Sequence, residues 1–174
     1  QFMAGLAYYS GVRQLGAGIV RVGPGNIALQ FEMIKQLNPT ILISVPTFII
    51  NLIHFAKENN INLNDLNVRK ILCIGENIRD LDFQNNSIAS KIIENWNVSL
   101  FSTYASTEKQ TAFTECAFQN GGHHLPELIY FEILDENEKV IALLSDGDLR
   151  RALMNDNFSM DCKVEEIATI NPKR

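Results

Sequence analysis

The chain has 174 residues, 46% of them hydrophobic and 20% charged, a balance that buries a core and excludes the low-hydrophobicity, high-charge composition of disordered proteins. Twenty acidic against 15 basic residues give a formal net charge of -5, and the basic residues are scattered rather than striped, which argues against a nucleic-acid surface. The longest apolar stretch, Thr40 to Ile53, contains Pro46 and Asn51 and is shorter than the roughly 20 residues that cross a bilayer, so no membrane partner is expected.

Phe2, Leu6, Tyr9 and Val12 recur at helical spacing and end at Gly16, a residue suited to the left-handed turn after a helix. The β-branched run Gly18 to Val22 predicts a strand, closed by the turn Gly23-Pro24-Gly25. Asn26 can cap a following helix with Ile27, Phe31, Ile34 and Leu37 on one face. Ile41 to Val45 lacks polar alternation and reads as a buried strand. Pro46 then opens a helix to Glu58, with His54 expected in the core or at an interface. Val68 to Ile74 and Val98 to Thr103 read as further strands, with a helix between Ile78 and Trp96. Strands alternating with helices predict an α/β fold whose mainly parallel sheet is flanked by helices, with ligands beyond the carboxyl ends of the strands.

After Thr111 the pattern changes. Ala112 to Phe118, Leu128 to Leu134 and Val140 to Ser145 read as a short antiparallel β segment with a turn at residues 135–138, and 148–155 and 161–168 as a helical tail. A boundary is expected near residue 142. The opening inside an apolar helix, with no basic leader, reads as a piece of a longer chain without a signal peptide. Three widely spaced cysteines, Cys73, Cys116 and Cys162, fit reduced thiols in a cytoplasmic protein.

The densest polar cluster after an apolar strand is Tyr104-Ala105-Ser106-Thr107-Glu108. An aromatic ring, two hydroxyls and a carboxylate there could stack on a base, bond a phosphate and ligate magnesium, and the same run also fits a loop that caps a strand. Cys116, His123 and His124 could meet across a hairpin to hold zinc, or form its Gly121-Gly122 turn alone. Ser145 and Asp148 fit the N-terminus of a helix.

Ile74-Gly75-Glu76 and Tyr104 to Glu108 resemble two core motifs of the acyl-adenylate-forming ligases, with Ala105 where the family more often has glycine. The order of Gly18 to Asn26, Leu37-Asn38-Pro39-Thr40 and Val45-Pro46-Thr47 is similar to the phenylacetate-coenzyme A ligase branch, and the resemblance spans about residues 1–142. It implies activation of a carboxylic acid, phenylacetate or a similar aryl acid, by ATP to an acyl adenylate and then to a coenzyme A thioester. It further implies that Gly75 and Glu76 border adenine, Tyr104 stacks on it, Ser106 and Thr107 face the phosphates, and Glu108 holds Mg2+, with Thr107 and Glu108 the catalytic pair. The family's phosphate loop and mobile C-terminal domain match nothing here, so the fragment alone is not expected to turn over.

Residues 143–174, from Leu144-Ser145-Asp146-Gly147-Asp148 to Asn171-Pro172-Lys173, resemble half a CBS module of the kind attached to arabinose-5-phosphate isomerases. That likeness implies that Ser145 and Asp148 touch the phosphate and ribose of a nucleotide, so the alternative function is adenine-nucleotide sensing for a sugar-phosphate isomerase. Gly147-Asp148 could instead be the ligase family's ribose-binding pair. A third reading is a noncatalytic interaction domain. An incomplete sheet would also invite homo-oligomers.

Overall fold

A computed structural model describes residues 3–23, 25–106, 111–123, 125, 127–129, 131–144, 148, 151–152, 154–155 and 162–170. The chain forms two compact units, residues 1–123 and 124–174.

In the first unit, helix α1 (Met3–Gln14) ends in a turn at Gly16, whose φ of 75° is the left-handed conformation that glycine adopts without a Cβ clash. The expected strand at residues 18–22 is absent: this run is irregular and pairs with no neighbour. β-branched residues favour a strand only where another strand offers its hydrogen bonds. Asn26 caps α2 (Ile27–Leu37) as predicted, its side chain accepting the amides of Ala28 and Leu29. Strand β1 (Ile41–Ser44) leads to α3 (Pro46–Glu58), with Pro46 in the first turn.

Strand β2 (Lys70–Cys73), α4 (Ser87–Asn95) and β3 (Ser99–Ser106) follow, and β1, β2 and β3 are parallel. Strands β4 (Thr111–Glu115) and β5 (Gly122–His123) then join antiparallel, giving a five-stranded sheet in the order β1-β2-β3-β4-β5. The sequence-based α/β fold class therefore holds, although β4 stops at Glu115, before the expected Phe118.

The core joins Phe31 and Ile34 of α2, Ile49, Leu52, Ile53 and Ala56 of α3, and Ala89 and Ile92 of α4 to Ile71, Cys73 and Leu100 of the sheet. At roughly 25 cal/mol per Å² of apolar surface buried, each full-length aliphatic side chain here contributes about 1.5–3 kcal/mol. Of the two places expected for His54, the core is ruled out, because the residue is exposed. Ile49, Leu52, Ile53 and Ala56 form the buried stripe of α3, and position 54 lies away from that stripe on a 3.6-residue turn.

In the second unit, β6 (Phe131–Leu134), β7 (Val140–Leu144) and β8 (Thr169–Ile170) form an antiparallel sheet, with a short α5 (Val164–Ile167) before β8. Asp135 shapes the β6–β7 turn by accepting the amides of Asn137 and Lys139 at 2.9 Å each. β7 spans residue 142 and pairs with β8 on its far side. No helix among the described residues is long and apolar enough to cross a membrane.

Candidate functional site

Parallel pairing places the carboxyl ends of β2 and β3 side by side, with Cys73 opposite Ser102 in register. Gly75, Glu76 and Asn77 therefore follow β2 next to the segment where β3 runs on to Tyr104 and Ser106. Gly75 takes a φ of 76°, which turns the chain sharply after the strand. Both Glu76 carboxylate oxygens are engaged: the backbone amide of Thr47 donates to Oε2 at 2.9 Å and its hydroxyl to Oε1 at 2.6 Å. The carboxylate thus caps the N-terminus of α3, where free amides and the helix dipole favour negative charge.

Tyr104 is 64% exposed, and its ring lies 6.0 Å from that of Phe113, its cross-strand partner on β4, with the planes tilted by 29°. Strand alternation puts Ser102 and Tyr104 on one face with Phe113 and Glu115, and the β4–β5 register adds Gly122 opposite Glu115. Beside this face lies a cavity of about 210 Å³, bordered by Asn77, Arg79, Asp80, Phe83, Ser102, Tyr104, Phe113, Glu115, Gly121 and Gly122.

One wall of the cavity is a buried ion pair. Arg79 donates from Nε to Glu115 Oε1 and from Nη2 to Oε2, both at 2.9 Å, and each residue is 7% exposed. The guanidinium also donates to Asn85 and to the Leu100 carbonyl, and Glu115 accepts the Ser102 amide at 2.8 Å. Every charged group is thereby met by polar partners, which a buried pair needs to offset its desolvation. The Cys73 thiol, fully buried nearby, is pushed up to about 12 by burial, with Arg79 pulling down and Glu115 and Glu76 pushing up. Cys73 is no nucleophile at neutral pH.

Of the site residues expected from sequence, Gly75 and Glu76 follow the end of β2, Tyr104 and Ser106 lie within the last three residues of β3 rather than after it, and Thr107, Glu108 and Ser145 lie outside the described residues. Asp148, in the second unit, is 4% exposed; its Oδ1 accepts the Thr169 hydroxyl at 2.6 Å and pairs with Arg151. His124 also lies outside the described residues, and among the described residues no three His, Cys, Asp or Glu side chains are grouped to hold a metal. Cys73, Cys116 and Cys162 form no disulfide. Sequence reasoning missed Arg79, Phe83, Phe113 and Glu115. Glu115 did carry a signal, a carboxylate at the strand position that alternates with Phe113 on the same face.

No protein-family profile matches the chain, and no curated protein matches it. Among solved structures, it is similar to 2-hydroxyisobutyryl-CoA ligase in the postadenylation state in complex with 2-HIB-AMP, at a TM-score of 0.62 and 17% identity over 78% of this chain and 29% of that one. A second structure of that ligase, in complex with 2-HIB-AMP and CoA in the thioesterification state, gives 0.58 and 18% over 79% and 29%. A third, with R3-HIB-AMP, gives 0.53 and 18% over 66% and 25%. The chain spans less than a third of the length of these structures, and at such identity the likeness establishes a shared fold.

Proposed function

We propose that this chain carries part of the nucleotide site of an acid-activating ligase, with residues 1–142 as a ligase-like piece and 143–174 as a tail whose β8 completes the sheet of β6 and β7. In the reaction, a carboxylate oxygen of the acid bonds to the α-phosphorus of ATP as pyrophosphate leaves. The sulfur of coenzyme A then bonds to the acyl carbon as AMP leaves, and the thiol proton passes to solvent. Phenylacetate or a similar aryl acid is the proposed substrate, on the residue order from Gly18 to Thr47.

The observation that carries this reading is the exposed Tyr104 ring at the end of β3, bordering a cavity that also meets Asn77 after β2. Open α/β sheets bind nucleotides beyond such strand ends. The ring would stack on adenine, with the Gly75-Glu76 turn beside it. Glu76, held by Thr47, would shape that turn rather than bind the phosphates. Ser106 and Thr107 would bond the phosphates. Glu108 would hold Mg2+, which favours one or two carboxylates plus phosphate oxygens and offsets charge on the departing pyrophosphate. The shared fold with the adenylate-bound ligase structures supports the same reading. Asp148, tied to Thr169 and Arg151, has a structural task in it.

Calorimetric titration of AMP and of magnesium-ATP into the chain tests the proposal. Binding that is lost in Tyr104→Ala, and for magnesium-ATP also in Glu108→Ala, is the expected result. Unchanged binding in both variants would overturn it.

A further inference from the structure

We infer that Phe83 is a specificity-determining residue of this site, a third aromatic wall that makes the cavity select one flat ring without negative charge. The identity of that ring as adenine rests on the function proposed above, whereas the selection of a flat ring rests on the geometry of Phe83 itself.

Three aromatic side chains border the one cavity, and they are not arranged alike. Tyr104 and Phe113 stack on each other as cross-strand neighbours. Phe83 borders the same cavity from the hairpin at residues 79–85 and remains 48% exposed. Its ring lies instead against Gly121, where an added Cβ would stand 3.6 Å from Cε1. The wall between Phe83 and Phe113 is thus made by Gly121 and Gly122, which contribute backbone and no side chain.

Phe83 holds this place in an unfavourable backbone conformation, with a φ of 59° that bulky residues rarely adopt. A tight hairpin imposes it. Asp80 Oδ1 accepts the amides of Asp82 at 2.9 Å and Gln84 at 2.8 Å, the Asp80 amide donates to the Gln84 carbonyl at 2.9 Å, and Arg79 bridges to Asn85. Strain that the surroundings over-determine tends to collect at ligand clamps.

The charges of the cavity point to the same ligand. Arg79 and Glu115 satisfy each other through two hydrogen bonds, and the Asp80 carboxylate oxygen that faces the hairpin already accepts two amides. A neutral ring between aromatic faces gains stacking and buries apolar surface, while an anionic group would find the Arg79 guanidinium already taken by Glu115 and the Asp80 carboxylate opposing it.

Calorimetry on the full 174-residue chain tests the inference with two probes, AMP and indole, a flat ring with no ribose or phosphate. Phe83→Gly removes the ring and accepts the positive φ without strain, so it is expected to keep the thermal midpoint of the wild type while weakening both probes at least tenfold. Phe83→Tyr is expected to keep wild-type affinity, and Phe83→Leu, apolar but not flat, to weaken binding like Phe83→Gly and to replace it should that variant not fold. Indole binding that Phe83→Gly weakens, with no AMP binding, supports the clamp and rejects the nucleotide reading. AMP binding that Tyr104→Ala abolishes and that both Phe83→Gly and Phe83→Leu retain overturns the clamp and keeps the nucleotide reading. Failure of both probes to bind the wild type overturns the clamp.

Discussion

Arg79 and Glu115 stand 36 residues apart in the chain and meet in a buried, two-pronged ion pair that also grips the Leu100 carbonyl and the Ser102 amide. The pair joins the segment after β2 to β3 and β4 at once. It holds the strand that bears Tyr104 against the strand that bears Phe113. Removing one partner leaves a buried charge without its counter-ion, so Arg79→Ala or Glu115→Ala is expected to cost about 3–5 kcal/mol. The double replacement Arg79→Met with Glu115→Leu should cost less than either single change, because no orphan charge remains. Urea midpoints of the three variants check this, and additive losses would contradict it.

Gly122 leaves no room for a side chain. A Cβ there would fall 2.9 Å from Phe113 Cβ, closer than real contacts allow, and 3.0 Å from its carbonyl carbon. Gly122→Ala must push β5 away from β4 and is expected to cost about 1–3 kcal/mol, the usual penalty of overpacking. Faster amide exchange in residues 111–115 and 122–123, with α3 and α4 unchanged, is the measurement expected to report it.

Thr47 and Glu76 couple the start of α3 to the turn after β2. Loss of an N-terminal cap costs about 1 kcal/mol. Glu76→Ala is expected to show that loss, and Thr47→Val to show part of it, since the backbone amide of residue 47 still donates. A double-mutant cycle should return a coupling free energy of about 0.5–1 kcal/mol from the hydroxyl bond; a value of zero would separate the two residues.

Cys73 gives the fold an alkaline limit. Its thiol ionises near its ordinary value of 9.0 in the unfolded chain and near about 12 in the folded one, chiefly because burial disfavours the thiolate. Between those values the unfolded chain binds fewer protons, so stability falls as pH rises. Below about pH 9 the contribution is constant. Stability measured against pH should therefore decline more steeply in the wild type than in Cys73→Ala over that window. At pH 8 a thiol reagent is expected to spare Cys73 until denaturant is added.

The elements that came out as read are those set by neighbours in sequence. Asn26 finds the amides of Ala28 and Leu29 within its own turn, Gly16 ends α1, and Pro46 needs only the first turn of α3. The apolar β1 and β2 runs likewise came out as strands, but β1, read as buried for its lack of polar alternation, is the sheet's edge, with Ile41 exposed and Leu42, Ile43 and Ser44 half-buried. Gly18 to Val22 misled because β-branching reports only half of what a strand requires, the other half being a partner. His54 does not reach the core because an apolar environment in sequence is not a buried face; its immediate neighbours Ile53 and Phe55 lie on other sides of the same turn.

The sequence by itself determined the order of helices and strands from α2 to β4 and the polar cluster at residues 104–106, since periodicity, caps and turn residues act over a few positions. Only the tertiary structure decided that Arg79 meets Glu115, that Phe83 faces a cavity with Tyr104 and Phe113, and that Glu76 caps a distant helix. Those contacts depend on the β3–β4 register and on the hairpin at residues 79–85, and a shift of one residue in either would send the same side chains to the opposite face.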